Sequence, residues 1–216
     1  MPSLSFRVEG AEAVPFAAQP LIALKLRIGN ANPEETIHTI ALRTQIQIEA
    51  NRRQYNAGEK KSLRDLFDQP ERWGQTLRPM LWTHASVVVP SFQDSTTADL
   101  QVACTFDFNV AATKYFHGVS DGDIPLNLLF SGTVFYADPD GALQVSPISW
   151  NSEARYRLPV RTWREMMEFY YPNSAWLCLR RDVFDRLYDY KLQHTMPTWE
   201  QTLEALLATE QEPVRS

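Results

Sequence analysis

The chain has 216 residues, a net charge of −5 and a pI of about 5.4, with 44% apolar and 22% charged residues. This balance is typical of a soluble globular protein and argues against general binding to nucleic acid or to anionic membranes, which needs a basic surface. No apolar run approaches the roughly 20 residues of a membrane-spanning helix and the first residues contain no apolar signal core, so we expect a cytoplasmic protein.

Apolar and polar residues alternate along most of residues 3–158, which predicts strands. The strands at 22–28 and 40–48 each have one apolar face. We expect them to be neighbours in an antiparallel sheet whose other face is exposed to solvent. The strand at 126–136 is apolar on both faces and is predicted to be central and covered on both sides. Gly132 in its middle indicates a bulge or a close approach by another element. The other predicted strands are at 4–9, 81–89, 100–110, 143–148 and 155–158.

Residues 60–74 interrupt the strand pattern with a predicted helical insertion. Leu63, Leu66 and Phe67 recur at helical spacing among charged residues. A basic cluster accompanies them, and its members either form a solvated face with local ion pairs or bind an anion. These basic residues are Arg52, Arg53, Lys60, Lys61 and Arg64.

At Leu158 the apolar period changes from two residues to three or four, which predicts a helix from Pro159 to Tyr171. Proline suits a first helical turn, whereas Pro172 cannot continue the helix and Asn173 tolerates the left-handed conformation that often follows one. One arc of this helix is apolar and is expected to pack on a sheet. The arc consists of Val160, Trp163, Met166, Met167, Tyr170 and Tyr171.

Two further helices are predicted, the first capped by Asp182 and the second beginning with a capping box of Thr198 and Gln201. The apolar residues of the first spread over nearly 200°, so we expect it to lie between neighbours or at a subunit contact. The predicted fold is therefore α+β: a predominantly antiparallel sheet or sandwich over about residues 3–158, followed by a layer of about three helices. We expect one domain over 1–209, with its helical layer at 159–209, and a disordered tail at 210–216.

The sequence shows no motif for a metal, a phosphate or a covalent intermediate. No histidine pairs with another histidine or a cysteine at ligand spacing, and there is no glycine-rich phosphate loop or nucleophile elbow, so we predict no metal and no cofactor. Cys104 is expected to point into the core as an inert thiol. Cys104 and Cys178 lack a pairing motif and are expected to be reduced. His117 is either an isolated general base or a half-exposed histidine at a strand end.

Seven phrases together resemble the bacterial DUF6084 family, over nearly the whole chain. They are Leu4–Ala11, Gln45–Glu49, Glu71–Gly74, Leu81–His84, Asp123–Leu126, Phe130–Val134, and Leu158–Val160 running to Trp163–Met167. The family has no known function and no assigned catalytic residues. Its members are often encoded beside nickel–iron hydrogenase genes, so the resemblance implies an accessory or assembly role.

We therefore expect a non-enzymatic protein that binds another protein, with a hydrogenase subunit or a maturation factor as the partner that the resemblance implies. Phe169, which lies off the apolar arc of the first late helix, and part of the aromatic cluster on the late helices and their link are candidates for its contact surface. The candidates are Phe169, Tyr171, Trp176, Phe184 and Tyr188. The alternative is an enzyme or small-molecule-binding protein with a pocket between sheet and helices near His117 or Arg155. A third possibility is self-association through the second of the three late helices.

Overall fold

The computed structural model describes residues 2–32, 34–105 and 110–211. Its strands are β1 (Leu4–Val14), β2 (Leu21–Asn30), β3 (Ile37–Ile48), β4 (Met80–Val89), β5 (Ser95–Ala103), β6 (Asp123–Ala137), β7 (Leu143–Pro147) and β8 (Glu153–Pro159). Its α-helices are α1 (Ala57–Ser62), α2 (Arg64–Phe67), α3 (Trp73–Thr76), α4 (Val110–Gly118), α5 (Val160–Tyr170), α6 (Arg181–Gln193) and α7 (Trp199–Gln211). The predicted α+β class, with strands first and three helices last, is confirmed.

The strands form two antiparallel sheets that share one core, as in a sandwich. One sheet has the order β1-β2-β5, and the other has the order β4-β3-β6-β7 with β8 also paired to β6. Phe6 of β1 stacks on Phe130 of β6 with 4.4 Å between ring centroids, which joins the two sheets. The prediction that β2 and β3 are neighbours is wrong, because they lie in different sheets. Both have one apolar face because both face the same core, and an apolar face does not identify a strand's hydrogen-bonding partner.

The central strand is β6, as predicted, because it pairs with β3 on one side and with both β7 and β8 on the other. Gly132 has φ +139°, and a Cβ placed there would lie 2.0 Å from the carbonyl oxygen of Ala41 on β3. The predicted close approach at Gly132 is therefore confirmed. Leu129 and Phe135, on the opposite face of β6 from the core, are only half-buried, so the prediction that both faces of this strand are covered is wrong.

β5 ends earlier than the predicted strand at 100–110. Its partner β2 begins at Leu21, which pairs with Ala103, and Pro20 before it has no N–H to extend the ladder. Val110 belongs instead to α4, while Phe106 and Phe108 lie outside the described residues. Cys104 is buried, and burial raises the pKa of its thiol to about 12, as expected of an inert core residue.

The described chain divides into two compact units, residues 1–174 and 175–216. The first contains both sheets and helices α1 to α5. In α5 the predicted arc is confirmed, with Trp163 and Met166 buried, and the helix ends before Asn173, whose φ is +50°. The second unit, which we call the helical unit, contains α6 and α7. The expectation of a single domain over 1–209 stays a prediction.

The ends of the late helices differ in detail from the prediction. Asp182 lies in the first turn of α6, and Arg180 occupies the N-cap position. The Thr198 hydroxyl accepts a hydrogen bond from the Gln201 N–H at 3.2 Å, which is the first bond of the predicted capping box. α7 runs to Gln211, past residue 210 where the predicted tail begins, and the rest of that tail, residues 212–216, lies outside the described residues.

Candidate functional site

Helices α6 and α7 of the helical unit contact each other through an aromatic cluster. Phe184 and Tyr188 lie one turn apart on α6 with stacked rings, and both contact Trp199 of α7, at centroid distances of 5.3 and 6.2 Å. The ammonium group of Lys191 lies 5.8 Å from the centre of the Trp199 ring, within the range of a cation–π contact. This cluster holds the two helices together but leaves Phe184 and Tyr188 nearly half exposed.

The described side chains of the helical unit include no buried apolar one, although the unit is rich in apolar residues. Eight large apolar side chains are exposed: Trp176, Leu177, Leu179, Phe184, Tyr188, Leu192, Leu203 and Leu207. α6 has no buried residue at all, so the described structure does not enclose it between neighbours. Exposed apolar side chains that adjoin one another, as Phe184 and Tyr188 do, are typical of a binding site.

A second exposed aromatic group lies in the first unit, where Phe16 contacts Phe169 edge to face at 5.3 Å. Phe16 is 89% exposed, and its φ of +56° is in the left-handed region that bulky residues rarely adopt. The Tyr170 hydroxyl fixes this turn by donating to the carbonyl of Val14 at 2.8 Å and accepting from the N–H of Ala17 at 2.7 Å. The position of Phe16 between Pro15 and Pro20 was the sequence signal for this exposed aromatic turn.

The five predicted contact residues are divided between the two units. Phe169 and Tyr171 belong to the first unit, and Trp176, Phe184 and Tyr188 belong to the helical unit. Four of them are exposed and Tyr171 is half-buried. Each unit therefore presents exposed aromatic residues of its own.

His117 lies in the last turn of α4 rather than at a strand end. Its ring meets Trp163 of α5 edge to face at 4.8 Å, and both line a groove of about 440 Å³ with Glu168 and Tyr171. Burial and the nearby charge of Arg164 lower the pKa of the imidazole. A neutral imidazole at pH 7 can accept a proton or a hydrogen bond.

Arg155 lies elsewhere, on β8. It lines a different depression of about 320 Å³, together with Arg52 and Arg157. Its guanidinium lies 3.7 Å from the carboxylate of Glu153. The structure therefore does not bring the two residues of the alternative pocket, His117 and Arg155, into one site.

The sequence analysis placed Arg53 in an exposed basic cluster, and for this residue the prediction is wrong. Its guanidinium is buried, lies 2.6 Å from the Glu59 carboxylate, and donates to the carbonyls of Asp121 and Asp123 at 2.5 and 3.0 Å. The segment before α1 is thus fixed to the turn that follows α4. The Asn56-x-x-Glu59 capping box that opens α1 was a sequence signal for the start of this helix but not for the burial of Arg53.

Glu59 is the buried acceptor of this network. Its carboxylate accepts from the N–H of Ser120 at 2.8 Å and from the N–H of Asn56 at 3.1 Å. Burial raises the pKa of this carboxyl, but the two backbone N–H groups and the charge of Arg53 outweigh burial, so the net pKa is lowered. The Glu59 carboxylate thereby joins the first turn of α1 to Ser120, which follows α4.

None of the helices in the described part of the chain is long and apolar enough to cross a membrane. A family model described as a family of unknown function, DUF6084, matches residues 1–215. No curated protein matches the chain.

Proposed function

The chain belongs to the DUF6084 family, whose function is unknown, and we propose that it is a non-enzymatic accessory protein that binds another protein through the helical unit. The observation that supports this proposal is the set of eight exposed large apolar side chains in a unit whose described residues bury no apolar one. Helices of this length gain most of their stability from packing an apolar face, and such a face is incompletely covered here.

The aromatic cluster gives this surface a centre. Trp and Tyr are enriched among the residues that dominate binding energies, and Trp176, Phe184 and Tyr188 are each close to half exposed. Removing the remaining half of one such side chain from water stabilises a complex by about 1 kcal/mol. Several together can offset part of the entropic cost of association.

The charged residues of the helical unit indicate that the rim of the proposed binding surface is polar and carries both signs of charge. α6 carries both signs, and α7 carries Glu200 and Glu204. The partner should therefore be a protein with an apolar groove and a polar rim, and not a polyanion. A nickel–iron hydrogenase subunit or maturation factor in the cytoplasm is the partner that the resemblance implies, and it is the first candidate to test.

The experiment is affinity capture of the tagged full chain from its native host, followed by reconstitution with the purified candidate partner. The test variant is Phe184→Ser with Tyr188→Ser, which removes exposed apolar area. Because both rings also contact Trp199 of α7, circular dichroism first verifies that this variant is folded. The matched control is Val88→Ser on β4, which is also exposed and apolar. We expect the wild type and the control to retain a stoichiometric partner and the double variant to lose it.

Two results would change the location of the proposed binding surface. Equal recovery of the partner with the folded double variant would show that the helical unit is not the binding surface. A Phe169→Ser variant tests the other aromatic group separately, because Phe169 contacts Phe16 in the first unit. Loss of the partner with Phe169→Ser alone would move the proposed surface to the Phe16–Phe169 pair.

The groove beside His117 favours a second candidate function, the binding of a small molecule. Its volume of about 440 Å³ falls within the usual range for ligand sites, and the lowered pKa of His117 provides a neutral imidazole. A thermal-shift screen of small carboxylates and amides tests this candidate. A ligand that stabilises the wild type but not His117→Gln would support it, and a screen without such a compound would count against it.

A further inference from the structure

β7 is the last strand of the five-stranded sheet and has one free edge. It pairs with β6 through Thr133–Ala137, and no other strand of the described residues pairs with it. A free edge exposes backbone N–H and C=O groups that can pair with another chain. Natural proteins usually protect such an edge with charges, prolines or a covering element.

The direction of the backbone groups on β7 follows from its flanking hydrogen bonds. The Ile148 N–H donates to the carbonyl of Gly132 and the Asp138 N–H donates to the carbonyl of Ala142, both at 3.0 Å. Residues of an antiparallel strand alternate between bonding toward the partner and away from it. The backbone groups of Leu143, Val145 and Pro147 therefore point away from β6.

The side chains of this edge are uncharged. Leu143 and Val145 are 64% and 58% exposed and share the outer face of the sheet with Phe135, which lies opposite Val145 on β6. The other strand on the same side of β6 differs, since β8 carries Glu153, Arg155 and Arg157 at exposed positions. Charged residues oppose edge-to-edge pairing, so β8 has this protection and β7 lacks it.

We propose that two copies of this chain pair through β7 as antiparallel strands, which joins their five-stranded sheets into one. If Val145 lies opposite Val145 of the second copy, Leu143 lies opposite Pro147. Proline lacks an N–H, but its carbonyl accepts from Leu143, so this register forms four hydrogen bonds and leaves no donor of these residues unpaired. The register is self-complementary, as a two-fold symmetric contact requires.

The area of such a contact can be judged from the side chains that it covers. Pairing extends the apolar stripe from Phe135 through Val145 onto the second copy. Trp150 is 93% exposed and lies in the turn that follows β7, so a second copy paired along β7 can cover part of it. A tryptophan can bury about 150–250 Å², so two of them with the aliphatic residues bring the contact near the ~1,200 Å² at which specific interfaces begin. We therefore expect a reversible dimer with a Kd on the order of micromolar.

Sedimentation equilibrium of the full chain over a range of concentrations tests the proposal. The wild type should pass from the 24.8 kDa monomer to a species of twice that mass. Val145→Pro removes the outward N–H without removing a bond to β6, and should weaken dimerisation by about tenfold to a hundredfold, given the usual contribution of two hydrogen bonds. Val145→Lys keeps the backbone and places two like charges together on the symmetry axis, so it should raise the Kd of the dimer by about fivefold at low ionic strength.

The matched control is Val88→Lys. Val88 is exposed on the same face of the same sheet but lies on β4, three strands from the β7 edge, so this variant should dimerise as the wild type does. Circular dichroism and thermal melting verify that each variant is folded. A wild type that stays monomeric at about millimolar concentration, which is far above the expected Kd, would overturn the proposal. So would a folded Val145→Lys that dimerises at low ionic strength as tightly as the wild type, or a dimer lost in a folded Phe184→Ser with Tyr188→Ser.

Discussion

Replacing Gly132 by alanine should destabilise the protein more than any other glycine-to-alanine change in the described structure. The backbone of Gly132 has φ +139°, which side chains with a Cβ rarely adopt. The added Cβ would lie 2.0 Å from the Ala41 carbonyl oxygen and 3.3 Å from the Cα of Leu42. These are backbone atoms of the neighbouring strand, so no side-chain rotation can relieve the contact.

The cost has two parts that can be measured separately. Backbone strain of this kind costs about 1–3 kcal/mol, and relieving the contact requires β3 and β6 to separate locally, with loss of ladder hydrogen bonds worth about 1 kcal/mol each. We expect a total of at least about 3 kcal/mol. For a chain of this size 1 kcal/mol corresponds to about 2–4 °C, so Tm should fall by about 6–12 °C.

Differential scanning calorimetry of three variants tests this reasoning. Gly141→Ala provides the strain alone, because Gly141 has φ +80° but no neighbouring atom within 4 Å of the added Cβ. Gly74→Ala causes neither backbone strain nor a steric contact, because that Cβ would also meet nothing within 4 Å and alanine favours the helix. Tm should decrease in the order Gly74→Ala, Gly141→Ala, Gly132→Ala. A Gly132→Ala variant that melts within 2 °C of Gly141→Ala, less than about 1 kcal/mol apart, would refute the steric part of the argument.

Three further predictions concern single side chains. Because the pKa of Glu59 is lowered from its ordinary 4.5 in the folded state, its ionised form stabilises the protein above pH 4.5, and this stability is lost as the pH falls through the folded-state pKa. Glu59→Gln should therefore be less stable at pH 7 and show a smaller decrease in denaturation midpoint between pH 7 and pH 3, whereas parallel curves for the two proteins would contradict this. Cys178 is exposed and should react with a maleimide in the native protein, while Cys104, buried and with a thiol pKa of about 12, should react only after unfolding; mass spectrometry of the labelled peptides distinguishes them. Tyr170→Phe removes both hydrogen bonds to the turn of Phe16, so amide exchange in that turn should accelerate about tenfold, and unchanged exchange would show that the turn does not depend on this hydroxyl.

Much of the fold could be predicted because apolar periodicity reports which face of a segment meets the core. β6, α5 and the close approach at Gly132 were recognisable in this way. Periodicity does not report which strand is bonded to which. The same apolar faces on β2 and β3 are satisfied whether these strands pair side by side or face each other across a sandwich, and the sequence analysis chose the first arrangement.

The burial of Arg53 and the free edge of β7 were not predictable, because both depend on contacts between distant parts of the sequence. Arg53 was grouped with its basic neighbours because local composition suggests solvent. Its burial depends on the carbonyls of Asp121 and Asp123, which are about seventy residues away in the sequence and meet it only in the folded chain. The outward direction of the Val145 backbone likewise depends on the register with β6, which the sequence of β7 alone does not contain.

The two proposed surfaces share one physical character, since each departs from what the stability of an isolated chain would favour. Charged residues would protect the β7 edge better than Leu143 and Val145 do, and polar residues would suit the exposed faces of α6 and α7 better than Phe184 and Tyr188 do. The surfaces involve different residues and are tested by different variants, so either proposal can fail alone. If both hold, each dimer carries two helical units, and simultaneous attachment to neighbouring partner molecules multiplies a weak affinity. A small helical contact, insufficient in a monomer, would then be enough for stable binding.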